Sequence, residues 1–149
     1  MYMANTDEST GRAGSGAGAQ ASEGGSALIS ARDVLKLLRV PTDVAGPLDQ
    51  LKFPLRRVHR GESVFRAGDR FHSIYVVRSG FFKTVMFDPF GAEQVLAFPM
   101  QADLLGADGL ANGSYTSEPV ALDDAEVVII PFQKLEWAAK ECPGLEHVI

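Results

Sequence analysis

Between Leu51 and Phe132 the chain is a series of short runs rich in β-branched and aromatic residues, each stopped by a turn signal: PLRRVHR, ESVFRA, SIYVVRS, FFKTVMF, EQVLAFP, EPVALDD and AEVVIIPF. Turns fall at Arg60-Gly61, Ala67-Gly68-Asp69, Ser79-Gly80 and Pro89-Phe90-Gly91. Runs this short cannot make packing helices, so their backbone groups must pair with one another. Turns recurring at this spacing predict a sheet that folds back and forth into a barrel or jelly roll. Helical periodicity is confined to the flanks. Ser30 is placed to cap ARDVLKLLRV, whose Val34, Leu37 and Leu38 share a face before Pro41 and Pro47 break it. FQKLEWAAKECPGLEHVI is apolar at Phe132, Leu135 and Trp137 to Ala139, is interrupted by Pro143, and resumes at Leu145, Val148 and Ile149.

A chain of 149 residues accommodates one such domain and an appendage. The appendage is the N-terminus, where GRAGSGAGAQASEGGSA at 11–27 offers nothing large to bury against the entropy of ordering it, and reads as a flexible tail. No stretch approaches the roughly 18 apolar residues of a membrane span, and no secretory signal is visible, so the expectation is a cytoplasmic protein without membrane contact. A net charge of −5 argues against nonspecific nucleic-acid binding by the chain alone, because displacing phosphate counterions needs many exposed cations. The single cysteine, Cys142, excludes an internal disulfide and cannot supply an iron–sulfur cluster; it reads as a small packing residue. His59, His72 and His147 are scattered with no paired spacing, so no metal site is expected. With no Ser-His-Asp, Cys-His or paired-carboxylate arrangement either, the chain is not expected to be an enzyme.

Three segments in one order carry a resemblance: GESVFRAGD at 61–69, HSIYVVRSGFFKTVMFDPFGAEQVLAFPMQADLLGADGL at 72–110, and AEVVIIPFQKLE at 125–136. Together they resemble the sensory domain of the Crp/Fnr family of transcription regulators, a cyclic-nucleotide-binding β-roll, over about residues 45 to 149; GADGLANGSYTSEPVALDD is most similar to the fumarate-and-nitrate-reduction branch. The resemblance implies a mainly β double-stranded β-helix, or jelly roll, with flanking short helices. It divides the chain into a tail (1–27), a short helix and linker (28–47), the roll (48–136) and a C-terminal helical segment (137–149), the start of a truncated dimerisation helix. The whole regulator would be a homodimer, DNA and RNA polymerase would be met only by the full-length protein, and this chain alone would be a monomer or weak dimer.

The effector pocket implied by the resemblance comprises Gly106, Ala107, Asp108, Gly109, Leu110, Ser117 and Glu118, expected to line a small cavity. In members that bind cyclic AMP this segment carries a glutamate for the ribose hydroxyl and an arginine for the cyclic phosphate. Here Ala107 and Ser117 stand at those positions, and the anionic Glu118 would repel a phosphate, so the effector is expected to be some other small molecule. Asp108 is a candidate substitute for the ribose acceptor. The family's iron–sulfur cluster is excluded, because the tail has no cysteine and Val128 occupies the position of the roll cysteine. Haem needs an axial ligand, whereas His59 and His72 read as surface residues; no cofactor is expected.

Asp88, Pro89, Phe90, Gly91 and Glu93 belong to a hairpin loop that resembles, by position, the family's RNA polymerase contact. Phe90 is a large apolar group at its tip. The basic residues Lys52, Arg56, Arg57, His59 and Arg60 read as a solvated face, or as a docking patch. Two other functions fit the same outline: a small cupin-like jelly-roll enzyme, and a stand-alone cyclic-nucleotide-type adaptor.

Overall fold

The computed structural model describes residues 27–41 and 47–141; the expectations for the tail through residue 26, for most of the linker, and for Cys142, His147 and the turn at 145–149 lie outside them. The described elements are β1 (Leu28–Ser30), α1 (Ala31–Leu37), a 3-10 turn (Pro47–Gln50), β2 (Lys52–Val58), β3 (Ser73–Ser79), β4 (Phe82–Phe87), β5 (Glu93–Ala97), β6 (Leu104–Leu105), α2 (Gly109–Asn112), β7 (Glu118–Ala121), β8 (Ala125–Pro131) and α3 (Phe132–Glu141). All strand pairs are antiparallel, in a five-stranded sheet ordered β1-β2-β8-β3-β6 and a three-stranded sheet ordered β5-β4-β7. The mainly β roll with short flanking helices is as the sequence predicts.

Side-chain alternation along β3 and β8 divides the interior in two. Val76, Val128 and Ile130 join α1, Phe53 and Ala138 in a cluster on the helical side. Tyr75, Val77 and Val127 point the other way, into the roll, where they meet Val58, Phe82, Leu105 and Tyr115. With both faces covered, Ser73 to Val77 are buried without a break, which is why SIYVVRS reads as continuous rather than alternating.

The termini of α1 follow local chemistry. Ser30 Oγ accepts a hydrogen bond from the Asp33 amide at 3.1 Å, the expected N-cap. The helix ends at Leu37, short of the predicted Val40. Arg39 turns left-handed with φ 61°, and its amide and that of Val40 donate back to the Lys36 and Leu35 carbonyls, closing the helix before Pro41. Gly80 reverses the chain after β3 with φ 89°; a Cβ there would lie 2.5 Å from the Ala125 Cβ and 2.8 Å from the Asp124 carbonyl, so the position admits glycine alone.

One predicted strand does not form. In ESVFRA only Ser63 makes an isolated bridge, to Val120, although the Val64 amide still donates to the Pro119 carbonyl. On its other side the Arg56 guanidinium donates to the Val64 and Ser63 carbonyls at 2.9 and 3.5 Å, taking the place a neighbouring strand would hold. Arg56 therefore leaves the expected basic face and turns into the roll, on the same side of β2 as Val58. α3 begins at Phe132, whose amide donates to the His72 carbonyl, so the helix runs through the expected division between 136 and 137.

Candidate functional site

The turn after β6 is where the resemblance places the pocket. Gly106 has φ 92°, and a Cβ on it would meet Tyr115 Cε1 at 3.0 Å and Phe65 Cε2 at 3.2 Å. Two aromatic rings thus pack against the turn from inside the roll. Phe65 and Tyr115 stack with centroids 3.8 Å apart and planes 17° from parallel, while Tyr75 and Phe71 pack against this pair. Gly109 opens α2 directly against Phe71, 2.6 Å from where a Cβ would stand. Ala107 and Leu110 face solvent, so they do not line an interior pocket.

Tyr115 is held by its phenol as well as its ring. The hydroxyl donates to the Ser73 carbonyl at 2.7 Å and accepts from the Ser73 and His72 amides at 3.2 and 3.4 Å. It stands in for a ladder partner at the start of β3, satisfying backbone groups that would otherwise be buried without one. Tyr75, in the same cluster, has its phenol pushed well above the ordinary 10.0, first by burial and then by the neighbouring Tyr115, with Arg56 opposing; it stays neutral.

The polar residues of the segment are committed to one another. Asp108 Oδ2 accepts from the Thr116 amide at 3.1 Å, from the Thr116 hydroxyl, and from Ser117 Oγ at 3.2 Å. One oxygen of the carboxylate expected to replace the ribose acceptor thus ties α2 to the approach of β7. Ser117 is buried and brings no charge, while Glu118 Oε2 accepts from Ser63 Oγ at 2.6 Å. Arg78, on the same side of β3 as Val76, points away from the roll interior and pairs with Glu126 at 2.5 Å. The sequence reading passes over Phe65, Thr116 and Tyr115. The available signal was an aromatic with a hydroxyl set among small polar residues in GSYTSEP, a place where nothing else local needs so large a side chain.

The hairpin loop is ordered by its own first residue. Asp88 Oδ1 accepts from the Phe90 and Ala92 amides, both at 2.9 Å, and Gly91 has φ 86°. Pro89 is exposed, Glu93 pairs with Lys83 at 2.8 Å, and Phe90 at the tip is 95% exposed. All five residues of β5 are exposed, and Val95 and Leu96 form with Phe81, Phe98 and Met100 a set of bare apolar side chains. The basic residues near β2 do not act as one patch. Arg56 turns inward, His59 lies 3.6 Å from Asp124, and Lys52 and Arg57 are exposed. The two histidines have separate neighbours, the His72 ring bonding Ser73 Oγ at 3.0 Å and His59 facing Asp124, and Val128 is a buried aliphatic residue on the helical side. No described helix is long and apolar enough to cross a membrane.

The sequence profile of the cyclic nucleotide-binding domain matches residues 55–142. The chain is 37% identical over 100 residues to the transcriptional activator protein Anr of Pseudomonas protegens, covering 67% of this chain and 41% of Anr. It is 35% identical over 103 residues to the fumarate and nitrate reduction regulatory protein of Escherichia coli, again 67% of this chain and 41% of the relative. The chain thus spans about two fifths of the length of these curated relatives. Among solved structures, the catabolite activator protein of Thermus thermophilus superposes with a TM-score of 0.60 at 25% identity, over 64% of this chain and 46% of that one. The strand order, the glycine-bearing turn before α2 and these matches together mean that the chain belongs to the cyclic nucleotide-binding domain family, on its Crp/Fnr regulator branch.

Proposed function

We propose that the chain is the effector-sensing domain of a Crp/Fnr-type transcription regulator whose effector is not cyclic AMP. The observation that carries this reading is the Phe65–Tyr115 stack against Gly106. A nucleotide entering there would have to displace two packed rings, and neither Ala107 nor Ser117 supplies a ribose acceptor or a phosphate cation. Asp108 and Glu118 are carboxylates, each holding a neighbouring residue through one oxygen, and neither can stand in for the cation a cyclic phosphate needs. In this reading DNA recognition and most of the dimer seam belong to the whole regulator. The bare apolar β4–β5 arm is a surface for that seam, and the Asp88-ordered loop presents Phe90 to RNA polymerase. The names of the curated relatives, an activator and a regulatory protein, support a regulatory role over catalysis, and a cytoplasmic site of action follows from it. No resident cofactor belongs to this reading, since Val128 is aliphatic and the two described histidines are spent on separate local partners.

The test is promoter occupancy. The gene product, tagged at its chromosomal locus and immunoprecipitated with crosslinked DNA, should enrich discrete promoter regions. Recovery indistinguishable from an untagged strain would contradict the regulator reading and favour a stand-alone adaptor.

A further inference from the structure

We propose that Asn112 is a site of spontaneous modification, where deamidation through a cyclic imide rewrites the backbone between α2 and β7. The inference holds whether or not the chain is a regulator. The chain has two asparagines, and Asn112 is the one followed by glycine, in Asn112-Gly113-Ser114. A glycine carries no side chain to block the approach of its own nitrogen to the preceding carboxamide. Gly113 has φ 77°, and a Cβ built on it meets nothing within 4 Å. Two hydrogen bonds stand against the attack. The Gly113 amide donates to the Gly109 carbonyl at 2.9 Å, and Asn112 Nδ2 donates to the Asp108 carbonyl at 3.4 Å, which is long for such a bond. Both belong to a single helical turn in which Gly109 alone is buried, while Leu110, Ala111 and Asn112 are exposed. A turn with so little packing opens locally at low cost and frees the nitrogen and the carboxamide together.

The same segment supplies a contrast. Asp108 also precedes a glycine, and its carboxyl can close the same ring with loss of water. Its Oδ2 is held by Thr116 and Ser117, and Gly109 is buried against Phe71, so closure is restrained at 108 and open at 112. In the opened turn the Gly113 nitrogen bonds to Asn112 Cγ, the Cγ–Nδ2 bond breaks, and Nδ2 leaves as ammonia with the proton that the backbone nitrogen gives up. Water then opens the ring at either carbonyl. One opening leaves aspartate; the other leaves isoaspartate, with the main chain rerouted through Cγ. Either product puts a carboxylate at the C-terminal end of α2, where the helix carbonyls disfavour it.

The purified 149-residue chain is incubated at mildly alkaline pH, folded and in urea, and its fragments are sequenced by mass spectrometry with electron-transfer fragmentation, which tells isoaspartate from aspartate. The fragment holding Asn112 should become about one dalton heavier in the folded chain. Isoaspartate should appear at 112 and not at 108, and Asn5, which precedes threonine, should lag behind. The folded rate at Asn112 should stay within about tenfold of the rate in urea, because the turn protects it little. Asn112→Gln keeps a carboxamide at an exposed position and should abolish the gain. The proposal is overturned if the folded chain keeps its mass at Asn112, if folding slows the reaction there by more than about tenfold, if 108 or Asn5 reacts as fast, or if Asn112→Gln gains the same mass in that fragment.

Discussion

The Gly106 turn and the β4–β5 arm are both glycine-bearing reversals of one roll, and they are finished in opposite ways. At Gly106 the space before the turn holds Phe65 and Tyr115, the phenol satisfies β3 backbone, and Asp108 locks the following segment. At the arm, Asp88 shapes the loop with equal economy, yet nothing described covers Phe90 or any residue of β5. Phe65 and Tyr115 beside the turn belong to the core, while the arm carries much of the apolar surface that the described residues leave to solvent. A site for chemistry and a site for contact are distinguished by what covers them more than by local backbone geometry.

Removing Tyr115 should separate the two regions most sharply. Tyr115→Ala should destabilise the chain by about 3–5 kcal/mol in chemical denaturation, through the lost ring and the stranded Ser73 backbone groups. Tyr115→Phe keeps the stack and should cost about 1–2 kcal/mol. A Tyr115→Ala loss below about 1 kcal/mol would mean the rings are not a core.

Paired glycine substitutions isolate packing from backbone strain. Gly106 and Gly91 have similar positive φ values, 92° and 86°, but a Cβ at Gly91 meets nothing within 4 Å. Gly91→Ala should cost only the strain, about 1–2 kcal/mol, and Gly106→Ala should cost about 1–3 kcal/mol more as the rings give way. Equal losses in thermal unfolding would erase the contrast between the two reversals.

The smallest effect is expected at the tip of the arm. Phe90→Ser should change stability by no more than about 0.5 kcal/mol, because the ring is already in water. Its consequence should appear in transcription by the whole regulator, with promoter occupancy retained. A loss of more than about 2 kcal/mol would place Phe90 in a packed environment and bring the arm into the same class as the turn.

One side of this contrast, the exposed tip of the arm, is legible in the sequence, and the filling of the Gly106 turn is not. Alternating apolar runs and positive-φ glycines locate the strands and reversals, and Ser30 announces α1, because each is a local pattern. The role of Tyr115 is not local, since its phenol meets Ser73 at a separation of 42 residues, and nothing near GSYTSEP records that partner. Arg56 lies between these cases. Alternation puts it with Val58 on the inner face of β2, opposite Phe53 and Leu55, but the surrounding run of cations disguises that pattern as a solvated surface. ESVFRA has the composition of a strand and lacks the second neighbour a strand needs, a fact about tertiary placement alone.

Isothermal titration of cyclic AMP and cyclic GMP into the purified chain tests most directly the proposal that the roll interior is closed to cyclic nucleotides by its own side chains. The account predicts no saturable heat from either nucleotide at concentrations where a regulator's effector would saturate its site. Micromolar affinity for either, with Phe65 and Tyr115 displaced from Gly106, would contradict it.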